Sequence, residues 1–422
     1  MFDYIAIQTS IRARGEPLAT GVYDDHDGVL RKGSAGGYAR RFGLEKLNFV
    51  KKLFEHPAYD GFWQEQAVNR LLARRQLSVP TMTVVGQWDQ EDIYGACAVY
   101  DVQEKQDPRN DLNYLVIGPW RHSGVDYDGS SLVPLRFTGD TALAFRRDVM
   151  QLFLDQYLKD GAARADTPPV LSYHTATDRW QRLQRWALAC ADACPAPLAP
   201  PYLQDGFKLG FGAPQGGKAY DEYVSDPAKP VPFVPRLVRM HDVDVWQPWL
   251  VSDQRFVADR PDVLTYVSAP LTAPLQLSGA PMANLFASTT DTDADWVVKL
   301  IDVYPDEVPP RTELGGHQLP LAMDIFRGRY RHSLETPAPL AAGLPLRYRF
   351  APPNVNHVIL PGHRLMVQIQ SSWFPLYDRN PQRYVPNIFH AQPGDYVKAT
   401  QRIYHAPEMR CAIELPVVGQ VR

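Results

Sequence analysis

The sequence predicts an α/β plus all-β chain, in which an α/β segment lies between a helical segment and a β-sandwich. Two uninterrupted apolar runs, at 79–85 and 112–117, alternate with helical periodicity, as is typical of parallel strands covered on both faces. Helical periodicity without a buried-strand pattern fills residues 1–78. Beyond residue 166, where most of the 38 prolines occur, short strand-like runs replace the helices.

The composition is that of an ordinary globular protein, with 422 residues, 45% hydrophobic and 22% charged. A net charge of −3 gives no reason to expect nucleic acid or an anionic membrane as a partner. No apolar run approaches the ~20 residues of a membrane span. Asp3 stands where a signal peptide would carry Lys or Arg, so no export signal is readable and the compartment stays open.

Four cysteines do not make a disulfide scaffold, and no Cys or His pairs follow one another at metal-ligand spacing. Cys190 and Cys194 could form a local disulfide, but we favour two ordinary thiols. The sequence therefore predicts neither a metal site nor a cofactor.

Residues 1–78 are predicted to form a partial helical cap. The ranges 44–54 and 62–73 each place apolar residues three and four positions apart. Because the segment contains no buried-strand pattern, it cannot supply a central sheet and is suited to covering an active site.

Residues 79–165 are predicted to be the C-terminal part of an α/β domain. One helix is expected at about 93–104, and a second begins near Asp140, a plausible N-cap. The second helix is expected to bury an apolar set: Val149, Met150, Phe153, Leu154, Tyr157 and Leu158. Because two strands cannot cover both faces of a sheet, we expect the beginning of this domain to be absent from the chain.

Residues 166–422 are predicted to form a jelly-roll β-sandwich, because several short strands follow one another between turn residues. The strand-like runs are 169–174, 296–304, 326–331, 346–350 and 364–369.

A polar motif follows each of the two apolar runs. Gly86-Gln-Trp-Asp89-Gln-Glu91-Asp92 comes after the first, and Gly118-Pro-Trp-Arg-His122-Ser after the second. A carboxylate at the end of one strand and a histidine at the end of the next are the last two members of a Ser–Asp–His triad on an α/β-hydrolase sheet. The sequence therefore predicts Asp89 as the triad acid and His122 as the general base. The serine should lie upstream, in a Gly-x-Ser-x-Gly turn, but the sequence contains no such motif.

On these motifs the chain resembles the α-amino-acid ester hydrolases, within the wider cocaine-esterase and X-prolyl dipeptidyl-peptidase group. Matching stretches are Glu55-His-Pro-Ala-Tyr-Asp60 and 62–66 in the cap, the two motifs themselves, and 292–305 in the β part. The resemblance covers essentially the whole chain. It implies the C-terminal part of an α/β-hydrolase domain with a helical cap, followed by a jelly-roll β-sandwich.

The resemblance also implies roles for four residues. Asp89 and His122 would be triad members, while Glu91 and Asp92 match two of three carboxylates that bind the α-ammonium group of the substrate. The family chemistry is hydrolysis of small-molecule esters or amides of α-amino acids, including acyl transfer to β-lactam nuclei, through an acyl-enzyme and without a cofactor. Family members are often periplasmic and often homo-oligomeric, so a homo-oligomer is an open expectation.

Four family features have no matching position: the nucleophilic serine, two oxyanion tyrosines and the third carboxylate. We therefore expect an N-terminally truncated chain that is inactive alone, and a complementing N-terminal fragment is a further partner to consider.

Several alternatives stay open. Asp89 could be a plain helix cap, and Glu91 with Asp92 could be a solvated acidic turn. The chain could be a non-catalytic remnant with a binding or oligomerising jelly roll, or an X-prolyl dipeptidyl-peptidase or glutaryl acylase-like hydrolase. Trp246 and Trp249 are assigned to packing rather than to the site.

An acidic alternation at 291–295 could bind Ca²⁺. It lacks the glycine and the terminal glutamate of an EF-hand loop, so a solvated strand start is the favoured interpretation.

Overall fold

The computed structural model describes Ile5 and residues 21–188, 200–240 and 242–418. Cys190 and Cys194 lie outside the described residues, so their predicted state is not addressed. Cys97 and Cys411 are buried free thiols. Within the described ranges no helix combines the length and apolar character that crossing a bilayer requires.

The first segment is helical where the structure describes it continuously, from residue 21 to 78, as predicted. Its helices are α1 (Asp25–Leu30), α2 (Ala35–Arg41), α3 (Asn48–Glu55), α4 (Gly61–Gln66) and α5 (Val68–Leu72). The Asp24, Ser34 and Asp60 side chains cap α1, α2 and α4 by accepting hydrogen bonds from backbone N–H groups.

The helical segment packs on the β part of the chain through α3. Phe54 is buried, with its ring 5.2 Å from that of Phe389, and its carbonyl accepts a 2.7 Å hydrogen bond from Asn387 Nδ2. Tyr59 N–H donates to Leu334 O at 2.9 Å. The helical segment therefore has its own small core and is fixed to the C-terminal part of the chain.

The α/β segment contains a four-stranded sheet. Its elements are β1 (Thr81–Gly86), α6 (Gly95–Glu104), β2 (Asn113–Gly118), β3 (Ser131–Leu132), β4 (Leu135–Arg136), α7 (Thr141–Phe145), α8 (Gln151–Leu158), β5 (Val170–His174) and β6 (Arg179–Leu183). The sheet order is β1-β2-β5-β6; β1, β2 and β5 run parallel, and β6 is antiparallel to β5. The two predicted parallel strands are confirmed.

The run at 169–174 is a strand, but its predicted place in the sandwich is wrong. It is β5, which pairs with β2 and is buried along its whole length, as expected of a parallel strand covered on both faces. Apolar periodicity identifies a strand but does not show with which other strand it pairs. The sheet therefore continues past residue 165, and the division into three domains stays a prediction.

Asp140 is the predicted N-cap of α7; its carboxylate accepts from Ala142 N and Leu143 N, hydrogen bonds that hold the pKa of Asp140 below its usual value. The expected burial of the following helix is confirmed only for Phe153. Val149 and Met150 are half-buried, and the other three predicted residues are exposed: Leu154, Tyr157 and Leu158. The helix is apolar on more than one face, whereas the described sheet covers only one of them.

The remaining strands form a β-sandwich. They are β7 (Tyr202–Gln204), β8 (Lys208–Gly210), β9 (Tyr220–Ser225), β10 (Leu264–Val267), β11 (Leu275–Gly279), β12 (Met282–Thr289), β13 (Asp295–Val303), β14 (Gln318–Arg327), β15 (Leu346–Phe350), β16 (Val355–Ile359), β17 (Arg364–Gln370), β18 (Ala399–Tyr404) and β19 (Ala412–Glu414), with two short helices, α9 (Val243–Trp246) and α10 (Arg255–Ala258). The large sheet has the order β14-β13-β17-β10-β8-β7-β19-β12-β18-β9, with β15 also paired to β12, and β11 pairs with β16. The predicted β-sandwich is confirmed, and its jelly-roll connectivity stays a prediction.

The predicted strands at 296–304, 346–350 and 364–369 correspond to β13, β15 and β17. The predicted strand at 326–331 is wrong, because β14 ends at Arg327 and a 3₁₀ turn follows at Gly328–Tyr330. Arg329 explains the turn: its side chain is buried and its Nε donates to Asp293 Oδ2 at 2.9 Å.

The interpretation of 291–295 as a solvated strand start is also wrong for two of its acids. Asp293 and Asp295 are both buried. Asp293 pairs with Arg329, and Asp295 accepts a 2.8 Å hydrogen bond from Asn380 Nδ2. Burial raises the pKa of Asp295 to about 6, although nearby Arg327 opposes the shift.

Candidate active site

The two polar motifs meet at one edge of the four-stranded sheet. β1 and β2 pair in parallel with Gly86 opposite Gly118, so both strands deliver their following loops to the same place. Beyond the strands the backbone pairing continues, with Gln87 N donating to Gly118 O at 2.8 Å and Trp88 N to Trp120 O at 3.1 Å.

The close approach of these loops requires glycine at both strand ends. A Cβ atom on Gly86 would lie 2.2 Å from the carbonyl oxygen of Trp120, and one on Gly118 would lie 2.3 Å from the Trp120 ring. The first neighbour is backbone and cannot rotate away. The two glycines therefore let the motifs approach each other.

Replacing Gly86 by alanine is expected to lower the free energy of unfolding by about 1–3 kcal/mol, because the added methyl group must push the two loops apart. Gly95→Ala is the matched control, since a Cβ at the start of α6 meets nothing within 4 Å. Urea unfolding followed by far-UV circular dichroism measures both variants. Equal stabilities for Gly86→Ala and the parent chain would contradict the close approach.

Asp89 and His122 form the predicted pair. Nδ1 of His122 lies 3.2 and 3.3 Å from the two carboxylate oxygens of buried Asp89. Oδ1 of Asp89 also accepts hydrogen bonds from the backbone N–H groups of Glu91 and Asp92, both at 2.8 Å. The Asp89 carboxylate therefore contacts the imidazole and the turn that follows Asp89, but it does not cap a helix, because α6 begins at Gly95 with Tyr94 at its N-cap.

His122 is oriented from both sides. Its backbone N–H donates to Gln90 Oε1 at 3.1 Å, while Asp89 holds the ring at Nδ1. The side chain is 33% exposed. An imidazole that is held at Nδ1 and partly open to solvent has the arrangement that a general base needs.

Two more carboxylates surround the same imidazole. Glu91 Oε2 lies 3.8 Å from His122 Nε2, and Asp92 Oδ2 lies 3.4 Å from Nδ1. The structure thus brings all four predicted site residues together. Ligand atoms of Asp89, Asp92 and His122 also lie within 4.8 Å of one another, so these three residues could hold a metal ion.

A cavity of about 670 Å³ adjoins the acidic motif, and its far wall comes from the β-sandwich. Trp246 and Trp249 belong to that wall, together with Met323, Trp373 and Tyr377. Trp246 Nε1 lies 3.5 Å from Glu91 Oε1, whereas Trp249 is buried and also packs on Trp373 with a 5.3 Å ring separation. Trp249 therefore both packs against Trp373 and lines the cavity. Trp246 contacts the acidic motif, which the sequence analysis did not predict.

Tyr94 and Asp324 are further cavity residues that the sequence did not single out. The Tyr94 hydroxyl donates to Asp324 Oδ2, which ties the loop after the acidic motif to β14. Burial raises the pKa of Asp324 to about 6, against the effect of the Tyr94 hydrogen bond. Trp88 Nε1 adds a 3.4 Å contact to Pro320 O on the same strand. No local signal marks Asp324, because Tyr94, whose hydroxyl donates to it, lies 230 positions away in the sequence.

Comparison with known proteins identifies the group to which these features belong. The family model described as the X-Pro dipeptidyl-peptidase C-terminal non-catalytic domain matches residues 163–413, more than half of the chain. The model described as X-Pro dipeptidyl-peptidase (S15 family) matches residues 23–124, a range that contains both motifs. A solved α-amino acid ester hydrolase is 56% identical with a TM-score of 0.96, over 99% of this chain and 68% of that one. The chain belongs to the α-amino-acid ester hydrolase and X-Pro dipeptidyl-peptidase group.

Other relatives in this group agree. An aminopeptidase from the marine sediment archaeon Thaumarchaeota archaeon is 48% identical with a TM-score of 0.94, covering 99% of this chain and 68% of that one. Cocaine esterase from Rhodococcus sp. (strain MB1 Bresler) is 29% identical over 382 residues, which is 87% of this chain and 61% of the relative. The chain therefore spans about 61% of the length of that curated relative. The family resemblance and the predicted fold class are both confirmed.

Proposed function

We propose that this chain carries the acid–base pair and the ammonium-binding carboxylates of a hydrolase that acts on esters or amides of α-amino acids. One observation carries the proposal: the imidazole of His122 is held by buried Asp89 and has Glu91 and Asp92 beside it. An imidazole with one oriented nitrogen serves proton transfer, and neighbouring carboxylates serve a cationic substrate group.

In this mechanism His122 Nε2 removes the proton of the attacking hydroxyl group and later returns it to the leaving alcohol or amine. Asp89 accepts the hydrogen bond from Nδ1–H and stabilises the imidazolium that forms. The acyl group is held as an acyl-enzyme until water, or the amine of a β-lactam nucleus, takes it. None of these steps needs a cofactor.

The acidic motif supports a substrate with a free α-ammonium group. Glu91 lines a cavity whose walls are largely apolar, and Asp92 lies beside the same imidazole. A partly desolvated ammonium ion needs such carboxylate partners. The relatives named as an α-amino acid ester hydrolase and an aminopeptidase act, by those names, on compounds that carry an α-amino group. The same two charges disfavour acyl groups with an acidic tail, as a glutaryl acylase would need.

Binding of an α-amino amide should depend on these carboxylates. We expect phenylalaninamide to bind the chain, and the double variant Glu91→Gln/Asp92→Asn to weaken it by about 10–100-fold, the value of hydrogen bonds to a charged group. Calorimetry and the fluorescence of the cavity tryptophans measure the affinity. 3-Phenylpropanamide, which lacks only the amino group, is the matched ligand control, and Glu408→Gln at an exposed site is the matched variant. Equal affinity for the two amides would exclude an ammonium site.

The proposed reaction needs a nucleophilic serine, which a second polypeptide would supply. The sequence has no Gly-x-Ser-x-Gly motif, so we expect this chain alone to hydrolyse α-amino-acid esters negligibly. In the described sheet β1 pairs only with β2, and its first four residues are half-buried. A complementing polypeptide could add a strand there and supply the serine.

Fluorophosphonate labelling with peptide mapping tests this expectation. We expect no serine whose labelling is lost in His122→Ala, in a chain shown by circular dichroism to be folded. A labelled serine that depends on His122 would show that the chain completes its own triad and would contradict the need for a partner.

A further inference from the structure

A hydrogen-bonded series of hydroxyl, imidazole and carboxylate groups, separate from Asp89 and His122, lies at the junction of the four-stranded sheet and the sandwich. Thr175, in the turn between β5 and β6, places its Oγ1 2.7 Å from His357 Nδ1. His357, on β16, places its Nε2 3.0 Å from Oδ2 of Asp302 on β13. This is the connectivity of a nucleophile, a general base and an orienting acid.

The carboxylate at the end of this series, that of Asp302, is held firmly in place. Asp302 is buried, and its second oxygen is 2.8 Å from His363 Nδ1. Burial opposes ionisation of Asp302, but the hydrogen bonds from His357 and His363 outweigh it and hold the pKa of Asp302 below its usual value. An ionised Asp302 requires a proton on His357 Nε2, which leaves Nδ1 of a neutral ring to accept the Thr175 hydroxyl proton.

A neighbouring Thr–His pair without a carboxylate serves as a comparison. Thr177 Oγ1 lies 2.6 Å from His174 Nδ1, but no carboxylate pairs with His174 within the described part of the chain. Burial lowers the pKa of His174 to about 4, and nearby His357 lowers it further. Across the same ranges, Thr175 alone among hydroxyl groups contacts a histidine that is itself bound to a carboxylate.

Thr175 is not sealed in the core. It is half-buried and lines a cavity of about 220 Å³, which shares no lining residue with the cavity beside the acidic motif. Pockets for drug-sized ligands measure about 300–1,000 Å³, so this one accepts only a small group.

The charges of this cavity differ from those around His122. Arg136, Arg311 and one carboxylate, Asp302, line it, and the rest of the lining includes Leu319, Val358 and Leu360. Such a cavity favours neutral small acyl groups over the cationic amino acyl groups proposed for Glu91 and Asp92.

We propose that Thr175 is a covalent acyl-acceptor site for small, neutral, activated esters, with His357 as its base and Asp302 orienting that base. Oγ1 of Thr175 forms a bond to the carbonyl carbon while His357 Nδ1 takes the hydroxyl proton. The bond from that carbon to the leaving oxygen then breaks, and the leaving group receives the proton from His357. The products are an acyl-threonine ester and a free alcohol or phenol. Because the cavity is small and largely apolar, the acyl group stays on Thr175 and the reaction ends after one equivalent.

The full chain treated with p-nitrophenyl acetate tests the proposal. We expect release of about one equivalent of p-nitrophenolate and an acetyl group that peptide mapping places on Thr175. Thr175→Ala removes the acceptor oxygen and should abolish acetylation at this position. His357→Gln should slow the reaction by at least about 100-fold, the usual value of general-base assistance. Thr177→Ala is the matched control and should react as the parent chain does.

Two further variants keep the result decisive. Thr175→Ser preserves the hydrogen bond to His357 and should still be acetylated, so a folding failure of Thr175→Ala would not block the test. His122→Ala should leave the labelling unchanged, which separates this site from the proposed hydrolase function. An acetyl group found only on other residues of the folded parent chain, no acetyl group at all, or labelling of Thr175 that depends on His122 would each overturn the proposal.

Discussion

Replacing Arg329 by methionine is expected to lower the free energy of unfolding by about 3–5 kcal/mol. The Arg329 and Asp293 side chains are 1% and 0% exposed, so the substitution leaves an uncompensated charge in the interior. Arg329 Nε donates to Asp293 Oδ2 at 2.9 Å, and its NH1 group donates to Val385 O at 2.9 Å. The substitution therefore removes the ion pair with Asp293 and the hydrogen bond to the backbone carbonyl of Val385.

The matched control for Arg329→Met is an exposed pair of the same type. Arg349 and Glu414 lie 2.6 Å apart at the sandwich surface, with side chains 46% and 36% exposed. Arg349→Met should cost less than about 1 kcal/mol, because water replaces the lost partner. Urea unfolding measures both variants, and similar losses for the two would show that burial of the Asp293–Arg329 pair has no energetic consequence.

A double variant separates the contribution of the Asp293–Arg329 pair to the free energy of unfolding from the destabilisation caused by removing only one partner. In Asp293→Leu/Arg329→Met both charges are gone, so most of the stability lost in Arg329→Met should return. A double variant that is less stable than the single one would show instead that the pair itself contributes the stability.

The same pair shows which parts of this structure the sequence could predict. The alternating acids at 291–295 look like a solvated strand start, because nothing near them in the sequence names Arg329 as a partner. The run at 326–331 looked like a strand for the same reason: the buried pair, rather than local periodicity, turns the chain at Gly328. For Asp293 and for the turn at Gly328 the cause is one contact between residues 36 positions apart, and for Asp295 it is the hydrogen bond from Asn380, 85 positions away.

Asp89 and His122 were predictable because their positions follow from local rules. Each lies just after an apolar run, and parallel strands bring their carboxyl ends to one sheet edge. Trp246 and Asp324 do not follow from such rules, because they reach the cavity only through the packing of the sandwich against the sheet edge. The part of the candidate site that comes from strand ends was therefore predictable, and the part that comes from the packing of the sandwich against the sheet edge was not.

Lys299 is expected to make the stability of the chain depend on pH. It lies on β13 with no exposed surface, its Nζ donates to Gln254 Oε1 at 2.7 Å, and no carboxylate pairs with it in the described residues. Burial lowers the pKa of Lys299 to about 7, from 10.5 in an exposed lysine. Between these two values the unfolded chain binds the proton and the folded chain does not, so the stability rises with pH across this window.

The size of the effect follows from the width of the window. Each pH unit within it is worth about 1.4 kcal/mol, so the parent chain should gain about 4 kcal/mol of stability from this group between pH 7 and pH 10. Below pH 7 Lys299 is charged in both states and its full desolvation cost remains, while above pH 10.5 it is neutral in both and contributes no slope.

Lys299→Met removes this contribution and should flatten the pH dependence relative to the parent chain. Gln254 loses its partner in that variant, which shifts the stability by a constant amount, so the informative quantity is the slope rather than the absolute value. Urea unfolding of both proteins at several pH values from 6 to 10.5 gives the difference curve, in which groups common to both cancel. Lys208→Met, at an exposed position of β8 in the same sheet, should leave the slope unchanged. Parallel curves for Lys299→Met and the parent chain would mean that Lys299 keeps its proton in the folded core, beside Gln254 and the rings of Phe256 and Trp373.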